Sequence, residues 1–359
     1  MTDQKQFRAL TQRLLAWTAE WLPDFPWRRT KDPYAIWVAV VMLQQTQVAT
    51  VLPYYHHFLD RFPTLSDLAA ADLDDVLKAW EGLGYYARAR NLHAAACLVL
   101  ERHGGQLPTD REQLLALPGI GEYTAGAVLS IGFGQDEPAV DGNVRRVLCR
   151  LFGVDDDLRK AATQQRLREL ARRLLPPGQA GDFNQGLMQF GAVVCTARQP
   201  QCSVCSLTRL CEGHRLGRQE ELPRRVPRRP VPHYEVTAAV IWNDDGRVLI
   251  AQRKAGDMLG GLWEFPGGRR EPGETLAECL QREMREELDL EIAVGEPVTI
   301  VRHAYSHFRI TLHAFHCRVV SGEPQALGCA DFRWVQLSEL ARFPFSVADQ
   351  KIIVALHPQ

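Results

Sequence analysis

Four cysteines crowd into one stretch of the chain and have the residue type and spacing to bind metal. They follow the pattern C-x6-C-x2-C-x5-C at Cys195, Cys202, Cys205 and Cys211. Thiolates are soft ligands that favour zinc or an iron–sulfur cluster, and a structural zinc site usually has two paired C-x2-C knuckles. Because this spacing has a single such pair, it leaves zinc and [4Fe–4S] both open. The other five of the nine cysteines are scattered, which indicates a reducing compartment.

A glycine-rich turn lies upstream of the cysteines. Residues 117–128 have the sequence LPGIGEYTAGAV, in which Gly119 and Gly121 permit a tight turn with accessible amides. A helix is predicted to begin directly after the turn, so its N-terminal amides and the positive end of its dipole would suit a phosphate. An ordinary helix–helix connection explains the same residues equally well.

An aspartate follows about twenty residues later, in the sequence VDGNVRR at residues 140–146. Asp141 stands before Gly-Asn and an apolar helix, which is typical of a helix N-cap. Taken alone, the motif therefore favours a structural role over a catalytic one.

Three glutamates near the end of the chain could bind a divalent cation. Glu283, Glu286 and Glu287 stand at i, i+3 and i+4, so they share one helix face, and carboxylates suit Mg²⁺. With Gly268, Glu274 and Arg282 they closely resemble the Nudix box, a loop and helix that bind metal on a pyrophosphate substrate. Asp289 stands where that pattern has glycine. A solvated acidic helix face is the plain alternative.

The elements that position these residues divide the chain of 359 residues into two halves. Apolar residues recur at helical spacing through residues 1–213, which predicts an all-α domain. Residues 214–232 hold six arginines, two glutamates and several prolines, which predicts a basic linker. Residues 233–359 predict an α+β domain, with strands at 236–242, 247–252, 298–302 and 310–317 and a helix at 276–288.

The composition is that of a globular protein. Apolar residues make up 46% of the chain and charged residues 24%, with a net charge of −1. No run of 18 apolar residues and no secretory signal is evident, so we expect no membrane partner. The balanced net charge neither supports nor excludes nucleic acid, because a local basic patch would suffice.

The hairpin, the later aspartate and the cysteine loop, in this order, resemble the helix-hairpin-helix DNA glycosylase superfamily. Within it the chain is most similar to the MutY-type adenine DNA glycosylases, over residues 41–48, 82–93, 140–147 and 183–185. The resemblance runs from about residue 7 to the end. It implies a helical glycosylase domain whose loop holds a [4Fe–4S] cluster, followed by a Nudix-like domain that recognises 8-oxoguanine.

The resemblance also implies a reaction. Such enzymes flip adenine mispaired with 8-oxoguanine or guanine out of double-stranded DNA and hydrolyse its glycosidic bond. Asp141 would stabilise the sugar cation or attack it transiently, and Asn143 could orient that carboxylate. Tyr123 matches the position where lyase-type relatives carry a Schiff-base lysine. Because a tyrosine cannot form an imine, a monofunctional glycosylase is predicted.

Several residues match DNA-contacting positions of that family. Gln45 and Tyr85 would wedge into the duplex and replace lost stacking, while Arg28 and Gln185 would surround the flipped adenine. The full set predicted to contact DNA is Gln45, Thr46, Tyr85, Gly119, Gly121, Arg28 and Gln185.

One position departs from the family pattern where the chemistry needs it most. The family has glutamate three residues before Leu43, as the acid that protonates the departing adenine, whereas this chain has Val40. General acid catalysis contributes about 10²–10⁴-fold in typical enzymes. Glu122 is the nearest motif carboxylate, but we expect it at the surface of the hairpin. We therefore predict impaired excision with lesion binding largely intact.

The second half is predicted to recognise the lesion rather than to hydrolyse nucleotides. Tyr305, Ser306 and His307 match the loop that contacts 8-oxoguanine in the family, with tyrosine where phenylalanine is common. Because the Nudix box is unusually complete, metal binding by Glu283, Glu286 and Glu287 remains open.

Three other functions remain open at this point. The chain could bind 8-oxoguanine:adenine pairs without cutting, as Val40 suggests, or act as a Nudix nucleotide pyrophosphohydrolase. It could also remove thymine from T:G mismatches, since a pyrimidine-dione needs less protonation to leave. We expect a monomer acting on DNA in the bacterial cytoplasm.

Overall fold

The structure is a computed structural model that describes residues 3–224, 230–305 and 307–357. Its first part is helical, as predicted. The helices are α1 (Asp3–Trp21), α2 (Pro26–Arg29), α3 (Pro33–Met42), α4 (Val48–Arg61), α5 (Leu65–Ala70), α6 (Leu73–Ala79), α7 (Ala87–His103), α8 (Arg111–Leu115), α9 (Glu122–Ala127), α10 (Gly142–Phe152), α11 (Ala161–Leu174), α12 (Ala180–Val193) and α13 (Glu212–Arg215). Within the described ranges, no helix is both long and apolar enough to cross a membrane.

Helix α3 is a buried helix because its sequence is almost wholly apolar. Asp32 caps it, accepting hydrogen bonds from the amides of Tyr34 and Ala35 at 3.0 and 3.3 Å, and Pro33 occupies the first turn, where no amide donor is needed. Nine of its ten residues are buried. The helix therefore presents its side chains to protein on all sides, and Val40 is among them.

A hydrophobic core joins the N-terminal helix to the helices that flank Asp141. Leu10 and Leu14 of α1, Val144 and Val147 of α10 and Phe183 of α12 belong to one buried cluster. Burial of each such side chain contributes roughly 1.5–3 kcal/mol. This packing holds the start of α10 rigid, which matters because Asp141 sits there.

A one-turn π-helix at Val128–Gly132 continues α9. Asn184 braces the segment that follows it: its side chain donates to Ser130 Oγ at 2.9 Å and to the Glu137 carbonyl at 2.8 Å, and it accepts from the Ala139 amide at 3.2 Å. Such π-turns are frequent at functional sites. The brace leads the chain into the Asp141 motif.

The first half of the predicted linker is not a free connection. Leu222 is 1% exposed, and the buried Arg150 donates to its carbonyl at 2.9 Å. Arg218 pairs with Asp155 at 2.7 Å. Residues 218–222 therefore pack against the helical part, while the linker between the two domains stays a prediction; residues 225–229 lie outside the described residues.

The C-terminal part forms a mixed sheet with helices. Its elements are β1 (His233–Trp242), β2 (Val248–Gln252), β3 (Trp263–Glu264), α14 (Leu276–Leu288), β4 (Glu291–Ala304), β5 (Arg309–Ser321), β6 (Asp331–Val335) and α15 (Val347–Leu356). The strand order is β3-β2-β1-β5-β4, with β6 also paired to β2. Strands β1 and β5 run parallel, from His233 opposite Arg309 to Trp242 opposite Arg318, and the other pairs are antiparallel.

The predicted helix coincides with α14, whose start is a capping box of Thr275 and Glu278. It ends at Asp289 in the left-handed conformation, with φ 57°. This explains why the Nudix pattern has glycine at that position, and an aspartate tolerates it better than most residues. Strands β3 and β6 and helix α15 were not predicted, because they are short or lack a clear period.

Contacts between residues group the chain into two compact units. The bounds of these units differ from the predicted division into consecutive domains. One unit takes residues up to 55, 64–69 and the residues from 94 to the linker, and the other takes residues 56–63, 70–93 and the C-terminal part. Within the second unit, Asp74 accepts hydrogen bonds from Gln252 and Trp263, both at 3.0 Å. Arg90 donates to the Gly260 carbonyl at 2.7 Å. A helical segment that carries Tyr85 thus belongs to the sheet-containing unit.

Candidate functional site

Asp141 caps helix α10, and both carboxylate oxygens are held. Oδ1 accepts from the Val144 amide at 2.7 Å, and Oδ2 accepts from Asn143 Nδ2 at 2.9 Å. Burial raises the pKa of the Asp141 carboxyl above its ordinary 3.8, while these two hydrogen bonds and the charge of Arg146 oppose that rise. Asp141 is therefore both the cap of α10 and the predicted carboxylate oriented by Asn143. Its carboxylate is fixed in place and available to a substrate.

Arg146 connects this carboxylate to the cysteine loop. It donates to Asn143 Oδ1 at 2.8 Å, to the Gly191 carbonyl at 2.6 Å and to the Cys195 carbonyl at 2.8 Å. Arg146 thus orients the side-chain amide of Asn143, which in turn orients the carboxylate of Asp141. The sequence analysis did not single it out, and its position one turn after Asn143 on the same helix was the available signal.

A cavity of about 180 Å³ opens beside Asp141. Positions predicted to act in catalysis or to surround the flipped adenine lie far apart in the sequence but line this one cavity, and Thr46 lines it too. The predicted site residues that line it are Arg28, Val40, Thr46, Tyr123, Asp141, Asn143 and Gln185. Gln45, Tyr85, Gly119 and Gly121 are not among its lining residues.

Val40 forms part of the apolar wall of this cavity. It is 6% exposed and packs in a cluster with Ile36, Ile131 and Ala139. Among the described residues that line the cavity, Asp141 has the only carboxyl group. Glu122 lines a different, smaller cavity and pairs with Arg111 on the hairpin. The cavity therefore has a carboxylate to stabilise positive charge and no second carboxyl to donate a proton.

Tyr123 faces the same cavity as a neutral phenol. Its hydroxyl donates to Met188 Sδ at 3.7 Å. Burial, and secondarily the charge of Asp141, raises the pKa of Tyr123 above its ordinary value. A phenol held this far from ionisation is a poor general acid, and it cannot form an imine.

Arg28 and Gln185 stand at the polar side of the cavity. Arg28 donates to the Pro23 carbonyl at 2.7 Å and to Gln189 Oε1 at 3.4 Å, and burial lowers its pKa to about 10. Its Nε is buried and has no hydrogen-bond partner among the described residues. Gln185 is 7% exposed and donates to the Gly181 carbonyl at 3.4 Å. These groups supply donors and acceptors that a flipped base could use; Gln189 was missed by the sequence analysis.

The two residues predicted to wedge into DNA both have a left-handed backbone. Gln45 has φ 59° and Tyr85 has φ 50°. Such conformations are uncommon outside glycine and concentrate at functional positions. Beside Gln45, Gln44 donates to Thr124 Oγ1 at 3.1 Å, which ties that loop to α9. Tyr85 is 40% exposed, with the Arg88 guanidinium 5.3 Å from its ring centre.

The predicted hairpin joins α8 to α9. Gly119 has φ 74°, so the turn needs glycine there. Gly121 instead has extended backbone at the start of α9, and a Cβ on it would meet no atom within 4 Å. The expectation that both glycines serve the turn's conformation is therefore correct for Gly119 alone.

The four clustered cysteines line one cavity whose lining also includes the apolar residues Val147, Leu151 and Phe190. Arg150, which is 2% exposed, donates to Cys195 Sγ at 3.2 Å. Throughout the part of the chain that the structure describes, no group of three or more His, Cys, Asp or Glu side chains could hold a metal ion. The four cysteines thus line one shared cavity.

A third cavity, of about 390 Å³, lies in the C-terminal part. Glu283, Glu287 and Tyr305 line it, together with the buried acids Glu264 and Asp349, which the sequence analysis missed. Burial, reinforced by the charge of Glu283, raises the pKa of Glu287 to about 7.

Glu286 and His307 are not among the residues that line that cavity. Glu286 has a side chain that is 61% exposed and pairs with Arg282 at 3.2 Å. His307 is exposed, and Ser306 lies outside the described residues. The ring of Tyr305 lies 4.8 Å from that of Phe308. The metal site and the lesion contacts stay predictions.

Comparisons with known proteins agree with the families predicted for both halves of the chain. Residues 38–173 match the family described as HhH-GPD superfamily base excision DNA repair protein, and residues 237–355 match a NUDIX domain. A protein named adenine DNA glycosylase from Homo sapiens is 35% identical over 410 residues, covering 98% of this chain and 74% of that protein.

Solved structures agree for the helical part. A thermostable thymine-DNA glycosylase matches with 31% identity and a TM-score of 0.55, covering 60% of this chain and 100% of its own. Endonuclease III in a trapped covalent intermediate with DNA matches with 25% identity and a TM-score of 0.52, covering 60% of this chain and 99% of its own. The predicted fold class, a helical helix-hairpin-helix domain followed by a Nudix-like domain, is confirmed.

Proposed function

Because this chain belongs to the adenine DNA glycosylase family of base excision repair proteins, we propose that it acts on adenine opposite 8-oxoguanine or guanine in duplex DNA. The base would be flipped out of the stack and into the cavity beside Asp141. The observation that carries this proposal is the convergence of Asp141, Arg28, Gln185 and Thr46 on that one cavity. We also propose that the protein acts as a monomer in the bacterial cytoplasm.

Within the cavity, Asp141 would stabilise the positive charge that develops on the deoxyribose as the C1′–N9 bond breaks. Its two hydrogen bonds, from Val144 and Asn143, favour the ionised form against the effect of burial and fix the carboxylate at the wall of the cavity. Water then adds to C1′, and base and sugar separate without an imine. Electrostatic stabilisation of this kind is commonly the largest single contribution to catalysis.

The bonding electrons must go to the departing adenine, which leaves poorly as an anion. Val40 provides no proton, and the raised pKa of Tyr123 makes its phenol a weaker acid than usual. Excision of adenine by the chain as written is therefore slower by about 10²–10⁴-fold than with an acid at position 40. Binding of the mispair does not need that proton and is retained.

The cysteine cavity fits a [4Fe–4S] cluster. Each thiolate of such a cluster binds a different iron, which suits four cysteines placed around a space better than around one point. Cys195, Cys202, Cys205 and Cys211 would hold it, and the apolar lining would shield it. With the cluster bound, the four cysteines would hold in place the loop whose Cys195 carbonyl accepts a hydrogen bond from Arg146.

Reading of the 8-oxoguanine strand is assigned to the loop of Tyr305, Ser306 and His307 in the C-terminal part. The position of Tyr305 at the wall of a large cavity supports this assignment, as does the exposure of His307. Gln45 and Tyr85 would each insert into the duplex and replace lost stacking.

Single-turnover release of adenine from an 8-oxoguanine:adenine duplex tests the proposal. The chain as written is compared with Val40→Glu, and with Val40→Gln, which has the same shape without the acid. We expect tight binding by all three and a gain of about 10²–10⁴-fold in rate for Val40→Glu alone. Equal rates for all three would show that another group donates the proton. Absence of both binding and cutting in Val40→Glu would reject the function.

Removal of thymine from T:G mismatches is a second candidate, favoured by the 31% identity to a thymine-DNA glycosylase. Thymine can spread its departing negative charge over two carbonyl groups, so it depends less on an acid at position 40. Parallel assays with T:G and 8-oxoguanine:adenine duplexes separate the two candidates: T:G cutting by the chain as written, unaffected by Val40→Glu, would favour thymine.

A further inference from the structure

Helix α6 is fastened to the C-terminal sheet by Asp74. Its two carboxylate oxygens accept hydrogen bonds from Gln252 Nε2 and from Trp263 Nε1, both at 3.0 Å. Trp263 is 1% exposed, so its indole N–H has little access to water as an alternative partner. The two bonds join the helix to strands β2 and β3, and all these residues belong to one compact unit.

A second contact lies about two helical turns further along the same segment. Glu81 accepts from the Phe345 amide at 2.8 Å and from Lys78 Nζ at 2.6 Å. Lys78 also donates to the Phe343 carbonyl at 3.1 Å. Residues 74–81 thus bond to the C-terminal part at two separate places, which fixes the orientation of the segment as well as its position.

The same segment positions the ring of Tyr85. The Gly84 carbonyl accepts from Trp80 Nε1 and from Arg88, both at 3.1 Å. The Arg88 guanidinium lies 5.3 Å from the ring centre of Trp80 and 5.3 Å from that of Tyr85. Trp80 is buried and directly precedes Glu81, whereas the Tyr85 ring is partly exposed. An accessible aromatic ring is therefore held on a buried base that is itself joined to the sheet.

Tyr305, which is proposed above to read the lesion, packs against the core from which these hydrogen bonds come. Tyr305 and Phe308 lie against a buried cluster that includes Trp263 and Phe345. The indole N–H of Trp263 and the amide of Phe345 are the groups that bond to the helical segment. One packed core therefore supports both Tyr305 and the segment that carries Tyr85.

We propose that Tyr305 and Tyr85 act on DNA as parts of one rigid body, with Asp74 as the positioning residue that joins them. Contact of Tyr305 with 8-oxoguanine then favours insertion of Tyr85 at the same mispair. The inference rests on the proposed function, because it assigns a joint action to two of its DNA-contacting residues. It adds that lesion discrimination depends on a carboxylate that is engaged within the protein.

The physical reason is the gain from fixing two contacting groups relative to each other. Once the first contact has formed, the second occurs within one complex at a high effective concentration. Groups whose relative position is already fixed also lose less freedom on binding. A loosened joint removes this advantage only where both contacts form. Guanine lacks the 8-oxo group and the N7 proton, so the joint affects the preference for 8-oxoguanine:adenine over guanine:adenine more than it affects general DNA binding.

The test is the ratio of the dissociation constants for guanine:adenine and 8-oxoguanine:adenine duplexes, measured with the full chain. A 2′-fluorine on the adenosine destabilises the sugar cation and prevents cutting, and a cytosine:guanine duplex reports general binding. Asp74→Asn keeps the side-chain shape but has one acceptor oxygen in place of two. Gln252→Met removes one donor from the sheet side. Asp75→Asn is the matched control, because Asp75 is exposed and pairs with Arg61 at 2.6 Å.

We expect Asp74→Asn and Gln252→Met each to lower this ratio by about 3- to 10-fold, the size of one net hydrogen bond. Binding of the cytosine:guanine duplex and helical circular dichroism should stay unchanged, and Asp75→Asn should leave the ratio within about 2-fold. Tyr85→Leu should also lower the ratio. In that background Asp74→Asn should have less than about a 2-fold further effect, since such non-additivity shows that Asp74 acts through Tyr85.

Three results would overturn the proposal. One is an unchanged ratio in folded Asp74→Asn and Gln252→Met. Another is an equal loss of affinity for all three duplexes, which a merely structural role would produce. The third is a full effect of Asp74→Asn in the Tyr85→Leu background. If the chain as written shows no preference for 8-oxoguanine:adenine over cytosine:guanine, the proposed function fails as well, whereas a preference that Asp74→Asn leaves intact rejects the joint action alone.

Discussion

Replacement of Arg146 by methionine should slow the chemical step without abolishing DNA binding. Arg146 holds Asn143 by a hydrogen bond of 2.8 Å, and Asn143 holds Asp141 by one of 2.9 Å. Methionine keeps the length and apolar stem of the side chain and loses all three of the hydrogen bonds from the guanidinium described above. Asn143 is then free to turn away from the carboxylate.

The size of the effect follows from the one charged hydrogen bond that Asp141 loses. Such a bond contributes about 1.5–3 kcal/mol, and each 1.36 kcal/mol changes a rate tenfold. A fall of about 10- to 150-fold is therefore expected for the single-turnover rate. The measurement is made in the Val40→Glu background, where the rate of adenine release is high enough to follow.

The pH dependence of the rate distinguishes this role from a merely structural one. The hydrogen bond from Asn143 and the charge of Arg146 both lower the pKa of Asp141 against the effect of burial. Without them the pKa rises, so the acid side of the profile moves to higher pH. The control is Arg145→Met, the same substitution at the preceding position. A rate within about 3-fold of the parent and an unmoved acid limb would refute the reasoning, since a tenfold effect is the smallest the hydrogen bond predicts.

Three further outcomes are expected. Cys205→Ala should abolish the iron and sulfide content that a [4Fe–4S] cluster requires, measured by elemental analysis of the full chain; unchanged iron would reject the assigned ligands. Because the pKa of Glu287 is raised from 4.5 to about 7, the folded protein holds a proton that the unfolded chain releases. Denaturant unfolding at several pH values should therefore show stability falling by about 3 kcal/mol between pH 4.5 and 7, and Glu287→Gln should flatten this dependence. Gly191→Ala should destabilise the protein by about 1–3 kcal/mol, since the added Cβ would lie 2.8 Å from Asn143 Cβ. Gly142→Ala, where nothing lies within 4 Å, should change the melting temperature little, and equal effects of the two would contradict the packing argument.

The sequence alone was sufficient for features that depend on local residue pattern. The helical character of the first part, the helix at 276–288 and the cap at Asp141 all follow from side-chain period and capping chemistry, which act within a few residues. The four cysteines could be singled out in the same way. The departure at Val40 was visible because the surrounding motif is continuous in the chain.

Contacts between distant segments were beyond such reasoning. The link from Cys195 through Arg146 to Asn143 joins the cysteine loop to α10, and the bond from Arg146 to the Gly191 carbonyl joins α10 to α12, which packs against it. The buried acids Glu264 and Asp349 stand in short elements with no period of their own. Their chemistry arises from burial, which no local pattern records.

The sequence by itself thus determined which groups this protein has, including a carboxylate at Asp141 and none at Val40. The tertiary structure decided that Asp141 and Val40 line one cavity. It also decided that the Tyr123 phenol, which lines the same cavity, has a raised pKa and is a weaker acid than usual. It also decided that the segment carrying Tyr85 belongs with the sheet-containing unit. The physical reason is that residue type and short-range spacing are properties of the chain, whereas burial, electrostatic environment and shared cavities depend on which segments pack together.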